Sequence, residues 1–237
     1  MDKPQKKQTS STTFWNNEYK KGKHFILSRE PSEDLIKFTR FLMRHEGRKS
    51  LNPIASALDL GCGNGRNLIY LTNTFGMRGV GYDISGEAIL QAKKESTGLP
   101  IVYGIQSVAL EIPLPENSQT LVLDMMVSHF LNTNERTHLI AEIMRVLKPG
   151  GWLFFKTFLL DGDMHAERLL RQHPADEAGS YIHPAIGVQE HVFTEDEIHE
   201  LLSENFFVHT VAKSHRHKAP GNAAKRRSIS VYAQKMG

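Results

Sequence analysis

Three glycines sit at alternate positions in the segment Asp59-Leu60-Gly61-Cys62-Gly63-Asn64-Gly65, and Asp83 follows eighteen residues after the last of them. Glycines spaced in this way let a chain turn sharply and leave main-chain N–H groups open to a ligand. A carboxylate at the separation of Asp83 is suited to accept hydrogen bonds from ribose hydroxyls. Together these residues point to a nucleotide-like ligand. They do not form a dinucleotide fingerprint: the third glycine of Gly-x-Gly-x-x-Gly would fall at position 66, which is Arg66. A P-loop is also missing.

Groups able to move a proton follow in Asp124-Met125-Met126-Val127-Ser128-His129-Phe130. Asp124 could accept a hydrogen bond from a ligand or an acceptor amine, or cap a neighbouring helix. His129, with an ordinary pKa of about 6.5, could serve as a general base or be a packed histidine. Asp161, Asp163 and His165 could line an acceptor pocket, although Asp-Gly-Asp is also common in turns. The twelve histidines give one close pair, His215 and His217, with no matching cysteine or carboxylate array, so no metal is expected. Cys62, the single cysteine, reads as a small residue in the tight turn.

Elements that would position these groups alternate along the chain. Residues 32–46 space Leu35, Ile36, Phe38, Phe41 and Leu42 as a helix stopped at Gly47. Residues 55–60 read as a buried strand that the glycine turn carries into a helix with Leu68, Ile69 and Leu71. Strands are expected at 79–82, 101–103, 121–123 and 152–155, with helices over 87–94 and through Leu139, Ile140, Ile143, Met144 and Leu147. Thr194-Glu195-Asp196-Glu197 has the form of a capping box ahead of Ile198, Leu201 and Leu202. Segments 206–208 and 229–233 read as a final pair of strands joined by a basic loop. This order predicts an α/β fold: a three-layer, doubly wound, mostly parallel seven-stranded sheet with an antiparallel C-terminal edge hairpin. Residues 1–30 read as a partly flexible N-terminal segment able to act as a lid, and 31–237 as one domain. An insertion at about 159–193 lacks regular patterning and suits a lid or an acceptor site.

Leu58-Asp59-Leu60-Gly61-Cys62-Gly63-Asn64-Gly65-Arg66-Asn67 resembles the first motif of the class I S-adenosylmethionine-dependent methyltransferases, and Tyr82-Asp83 their second. Leu147-Lys148-Pro149-Gly150-Gly151 is similar to the turn before their fifth strand. The resemblance covers roughly residues 55–157. It implies S-adenosyl-L-methionine as cofactor, with its amino-acid part held by Asp59, Asn67 and the turn of Gly61, Cys62, Gly63, Asn64 and Gly65. Asp83 would take the ribose and Ile84 would flank the adenine. Gln106 and Ser107 stand where many relatives have an acid that meets the adenine amine, and Thr120 where many have an aspartate before the fourth strand. Asp124 would lie beside the methyl group. Trp15, Tyr19 and Phe25 could cover the donor, or simply pack the leading helix.

The 237 residues suit one domain, and a hydrophobic content of 40% with 23% charged residues is ordinary for a globular protein. Apolar runs fall short of the roughly 20 residues that span a bilayer, and the polar start lacks a signal-peptide core, so a soluble cytoplasmic protein is expected. The net charge of +3 gathers near the ends, with Lys213, His215, Arg216, His217, Lys218, Lys225, Arg226 and Arg227 within fifteen residues. The leading expectation is a methyltransferase for a small molecule. The alternatives are an RNA or protein methyltransferase whose basic clusters grip its substrate, and a non-catalytic S-adenosylmethionine-binding protein.

Overall fold

A computed structural model describes residues 10–25, 28–214 and 226–237. Two helices lead the chain, α1 (Ser11–Lys21) and α2 (Glu33–Glu46). Alternation then begins with β1 (Ser56–Leu60), α3 (Arg66–Phe75), β2 (Arg78–Asp83), α4 (Gly86–Glu95) and β3 (Ile101–Ile105). It continues through β4 (Gln119–Met125), α5 (Thr133–Val146) and β5 (Leu147–Phe158). The sheet has seven strands, and its order also includes β8 (Phe206–Lys213) and β9 (Ser228–Lys235): β3-β2-β1-β4-β5-β9-β8. Strands β1 to β5 pair in parallel, and β9 runs antiparallel to both β5 and β8, as expected of an edge hairpin. The segment that joins β8 to β9 lies largely outside the described residues.

Alternate side chains of the central strands feed two cores, one on each face, because the pleat turns successive residues to opposite sides. Ala57, Leu121, Leu123, Trp152 and Phe154 pack against α2, α3 and α4, where Phe38 lies 4.9 Å from Phe154 in a stacked pair. Leu58, Leu60, Val122, Leu153 and Phe155 meet Leu139 and Ile143 of α5 and Leu202 of α7 (Glu195–Ser203). Full burial of each such side chain contributes roughly 1.5–3 kcal/mol, and this sandwiching holds the strand ends still enough to carry a site.

Three elements differ from the sequence expectation. The N-terminal segment contains α1, which Ser10 caps by accepting from the Thr13 amide at 3.5 Å. The insertion is regular: it holds α6 (Met164–Gln172) and a hairpin of β6 (Ser180–Ile182) and β7 (Gln189–His191). Strands of three residues are too short to show an alternation, and α6 starts from a cap, Asp163, that reads equally as a turn residue. Strand β5 starts at Leu147, which pairs with Gln119 before the register shifts and resumes at Leu121 and Trp152. At the expected capping box, Thr194 accepts from the Glu197 amide at 3.1 Å, while Glu197 Oε1 lies 2.8 Å from His191 Nε2 and ties α7 to the insertion.

Two residues of the basic cluster are structural. Arg226 is paired with Asp163 at 3.1 Å and Glu190 at 3.4 Å, bonds the Tyr181 hydroxyl, and lies over the Phe158 ring at 4.2 Å. Arg227 is buried and donates to the carbonyls of Asp161 and Ser214, the latter at 3.0 Å. Lys213 pairs with Glu195. His215, Arg216, His217, Lys218 and Lys225 lie outside the described residues.

Removing one member of a buried charge network strands its partners without water. Arg226→Met should therefore lower stability by roughly 3 kcal/mol in urea unfolding, whereas Lys20→Ala, which breaks an exposed pair with Glu87, should change it by less than about 1 kcal/mol.

Candidate functional site

Strand β1 ends at Leu60, and the next residues turn through positive φ at Gly61 (63°), Gly63 (55°) and Gly65 (80°). A side chain would be strained at each position and would collide with a neighbour: Val127 at Gly61, the Tyr19 hydroxyl at Gly63 and the Tyr103 hydroxyl at Gly65. Gly65 is also the N-cap of α3 and supplies no side-chain cap, which leaves first-turn amides for other partners. Asp83, the last residue of β2, crosses to this turn. Its Oδ2 accepts from the Gly63 amide at 2.9 Å and its Oδ1 from the Ser85 amide at 2.8 Å. Burial raises the carboxyl's pKa, and these amides partly offset the rise.

Above the turn opens a cleft of about 410 Å³. Gly61, Cys62, Gly63, Asn64, Asn67, Asp83, Ile84, Gln106 and Ser107 line it. The pieces are joined: Asn64 Nδ2 donates to the Ser28 carbonyl at 3.0 Å, the Ser32 amide donates to Asn67 Oδ1 at 3.2 Å, and Gln106 Nε2 donates to the Glu111 carbonyl at 3.0 Å. Helix α1 reaches the cleft with Trp15 and Tyr19. It is held to α4 by Ser85 Oγ donating to Asn16 Oδ1 at 3.0 Å and by Gln91 Nε2 donating to the Tyr19 carbonyl at 2.8 Å. Trp15 stacks on Phe25 at 5.5 Å and meets Phe130 edge-on at 5.4 Å.

Other expected site residues lie elsewhere. Gly65, Asp59, Asp124 and His129 do not line the cleft. Asp59 is 1% exposed beneath the turn, and its Oδ2 has no hydrogen-bond partner. Burial, together with the nearby Asp83 carboxylate, pushes its pKa up to about 8. Asp124 is fully buried and accepts from the hydroxyl of Ser128 and from its amide at 3.2 Å; burial pushes its pKa up to about 6. His129 is packed between Phe130 at 4.0 Å and Phe158 at 4.9 Å, and its Nδ1 is buried without a partner. Burial, with Arg226 and His191 nearby, lowers its pKa to about 3, so the ring is neutral. Asp163 caps α6 and receives Arg226, and Asp161 Oδ2 accepts from the Glu195 amide at 3.0 Å. Burial raises the Cys62 thiol's pKa well above its ordinary value.

Several wall residues are not among those that the sequence assigns to the site. Met126 holds a positive φ of 66°, which costs a non-glycine residue of order 1 kcal/mol or more, and its amide is pinned to the Lys156 carbonyl at 2.8 Å. Arg66, Phe130 and Lys156 also line the cleft. Lys156 falls within an apolar strand and reaches the site only because β5 lies beside β4. Among the described residues no group of three or more histidine, cysteine or carboxylate side chains could hold a metal, and no helix is long and apolar enough to cross a membrane.

Comparison with known proteins agrees with this architecture. Residues 58–155 match the model of a methyltransferase domain. The chain is 30% identical over 137 residues to a glycine/sarcosine/dimethylglycine N-methyltransferase of Actinopolyspora halophila, covering 56% of this chain and 24% of that one. It is also 30% identical over 125 residues to the 27-O-demethylrifamycin SV methyltransferase of Amycolatopsis mediterranei, covering 52% and 45%. The chain thus spans less than half the length of these relatives. A solved structure of an S-adenosylmethionine-dependent methyltransferase from Methanosarcina mazei superimposes with a TM-score of 0.67 at 24% identity, over 80% of this chain and 96% of that one. With the glycine turn, the carboxylate at the end of β2 and the strand order all in place, the chain has the fold of the class I S-adenosylmethionine-dependent methyltransferases, and residues 58–155 are similar to a methyltransferase domain.

Proposed function

We propose that this protein is an enzyme that transfers a methyl group from S-adenosylmethionine to a small-molecule acceptor. The observation that carries this reading is the cleft of about 410 Å³, floored by the glycine turn and Asp83 and roofed by α1. Its size is that of a pocket for one or two small ligands. The residues fit the donor: the turn has no room for side chains, and a buried carboxyl with an orphaned oxygen lies below it. Asp83 would take the ribose hydroxyls on lone pairs that Gly63 and Ser85 leave free. Ile84, Gln106 and Ser107 would flank the adenine. Gly61, Gly63, Asn64 and Asn67 would hold the amino-acid end, above Asp59.

The bound donor supplies a methyl group already activated by its sulfonium, so what the chain must provide is alignment of the acceptor and exclusion of water. Trp15, Phe25 and Phe130 form an apolar wall suited to both tasks. In this reading Asp124 positions rather than reacts: its bonds to Ser128 brace the loop that carries Met126 and Val127. His129 is walled off from the cleft and too weak a base to take a proton. Helix α1 would close over the donor, and the insertion would support that closure through Ile186 and Val188, which pack on Phe14 of α1.

A small acceptor is favoured over RNA because Arg226 and Arg227 are occupied inside the fold, and because the two relatives' names refer to glycine derivatives and a rifamycin. Turnover to S-adenosylhomocysteine with a panel of metabolites should exceed turnover with total RNA. Preferential methylation of RNA would overturn the small-molecule reading.

The donor site has its own tests. Calorimetry should show S-adenosylmethionine binding that Asp83→Ala weakens about 10- to 100-fold, and equal binding by both proteins would overturn the site. Folding raises the pKa of Asp59 to about 8, so its contribution to stability is full below about pH 4 and is lost as the pH rises through 8. Asp59→Asn, which mimics the protonated form, should raise Tm at pH 8 by about 5 °C, flatten its pH dependence and weaken donor binding.

A further inference from the structure

Four charged side chains line the cleft: Arg66, Asp83, Glu135 and Lys156. Three have evident work. Asp83 fastens the turn, Glu135 caps α5 by accepting from the Asn132 amide at 2.9 Å, and Arg66 reaches out along the surface to the Glu30 carbonyl at 3.1 Å. Lys156 ties β5 to α2 through Asp34 and still reaches the cleft wall. It stands on β5 opposite Met125 of β4, and its ammonium meets Asp34 Oδ2 of α2 at 2.5 Å, with the lysine side chain 18% exposed. Burial would raise the pKa of Asp34, but Lys156 and Lys37 outweigh it and lower the pKa. Asp34 therefore stays ionised and holds the lysine at the cleft wall.

The place where Lys156 is held is informative. Asp59, Met125 and Lys156 lie on the same face of the sheet, the face covered by α2 and α3. Asn67, at the start of α3, joins the row. It donates to Met125 Sδ at 3.7 Å and accepts from the Ser32 amide, which begins α2. Ser32 lines the cleft, and its side chain makes no capping bond. This corner thus offers an ammonium and a free hydroxyl at the cleft wall, with the buried acid Asp59 beneath the glycine turn. An amino acid presents an ammonium and a carboxylate on one carbon, and such a corner is matched to that pair.

We propose that Lys156, steered by Asp34, is the cation that receives the carboxylate of the donor's amino-acid end. This rests on the reading of the cleft as an S-adenosylmethionine site. Of its three N–H donors, Lys156 gives one to Asp34 and has others for a second carboxylate. Ser32 Oγ is placed to add a second bond. Lys156 then helps set the direction in which the sulfonium methyl faces Met126 and Phe130.

The test compares S-adenosylmethionine, its decarboxylated analogue and 5′-methylthioadenosine, which lacks the amino-acid end, by calorimetry on the full chain. The wild-type protein should prefer the first over the second by about 10- to 100-fold, the range of a charge-assisted hydrogen bond. Lys156→Met should lose that preference while binding 5′-methylthioadenosine as the wild type does, which also shows that the variant is folded. Lys156→Arg should keep the preference. An unchanged preference in Lys156→Met would overturn the proposal. Failure of the wild-type protein to bind any of the three would overturn the donor site itself.

Discussion

A single hydrogen bond, 2.9 Å from the Gly63 amide to the Asp83 carboxylate, joins the two parts of the molecule on which the cleft depends. It ties the turn after β1 to the end of β2, and both ends lie where a side chain could not be added or removed without loss. The turn must pass through left-handed backbone at Gly61, Gly63 and Gly65, and each missing Cβ is answered by a neighbour that fills the space. Tyr19 comes from α1, Tyr103 from β3 and Val127 from the loop after β4, so with Asp83 of β2 four separate elements converge on one short segment. The sheet order makes this possible, because β1 sits between β2 and β4.

Electrostatics in the interior follow two different rules. Around the cleft, Asp59, Asp83 and Asp124 are buried close together with few cations, and each carboxyl is pushed toward its protonated form. Such a cluster opposes folding at neutral pH and gains when a cationic ligand lies above it, a common bargain between stability and binding. In the insertion, by contrast, Asp163 and Glu190 are paired with Arg226, and Glu177 lies 2.7 Å from Arg136. Those charges are satisfied within the protein, so they hold the insertion against α5 and the C-terminal strands.

The two patterns are mechanically linked. The hairpin of the insertion carries Ile186 and Val188 to Phe14 of α1, and α1 carries Tyr19 to the glycine turn. Arginines that look in sequence like part of a free basic patch thus contribute to the support of the roof over the cleft. Their placement also explains why charge density along the chain is a poor guide to a substrate: a guanidinium near Asp163 and Glu190 is internal, whatever its neighbours in sequence.

By itself the sequence determined the alternation of strands and helices and the glycine turn, because each depends on local periodicity or on backbone freedom that only glycine provides, and it put the Asp83 carboxylate at a separation that suits a ribose. Ile84, Gln106, Ser107, Asn64 and Asn67, which the resemblance implies as donor-binding residues, all line the cleft. Tertiary structure alone decided the rest. Whether Asp124 and His129 face a ligand depends on which side of a strand end they leave, and both turn inward. Lys156 is a single polar residue in an apolar strand until β5 lies beside β4 and α2 brings Asp34 to it. Helix α6 and the short hairpin lacked a pattern long enough to read, since they are held by an apolar cluster of Ala166, Leu169, Tyr181 and Val192 and by charge pairs between residues tens of positions apart. Such pairs have no period, and only the folded chain brings them together.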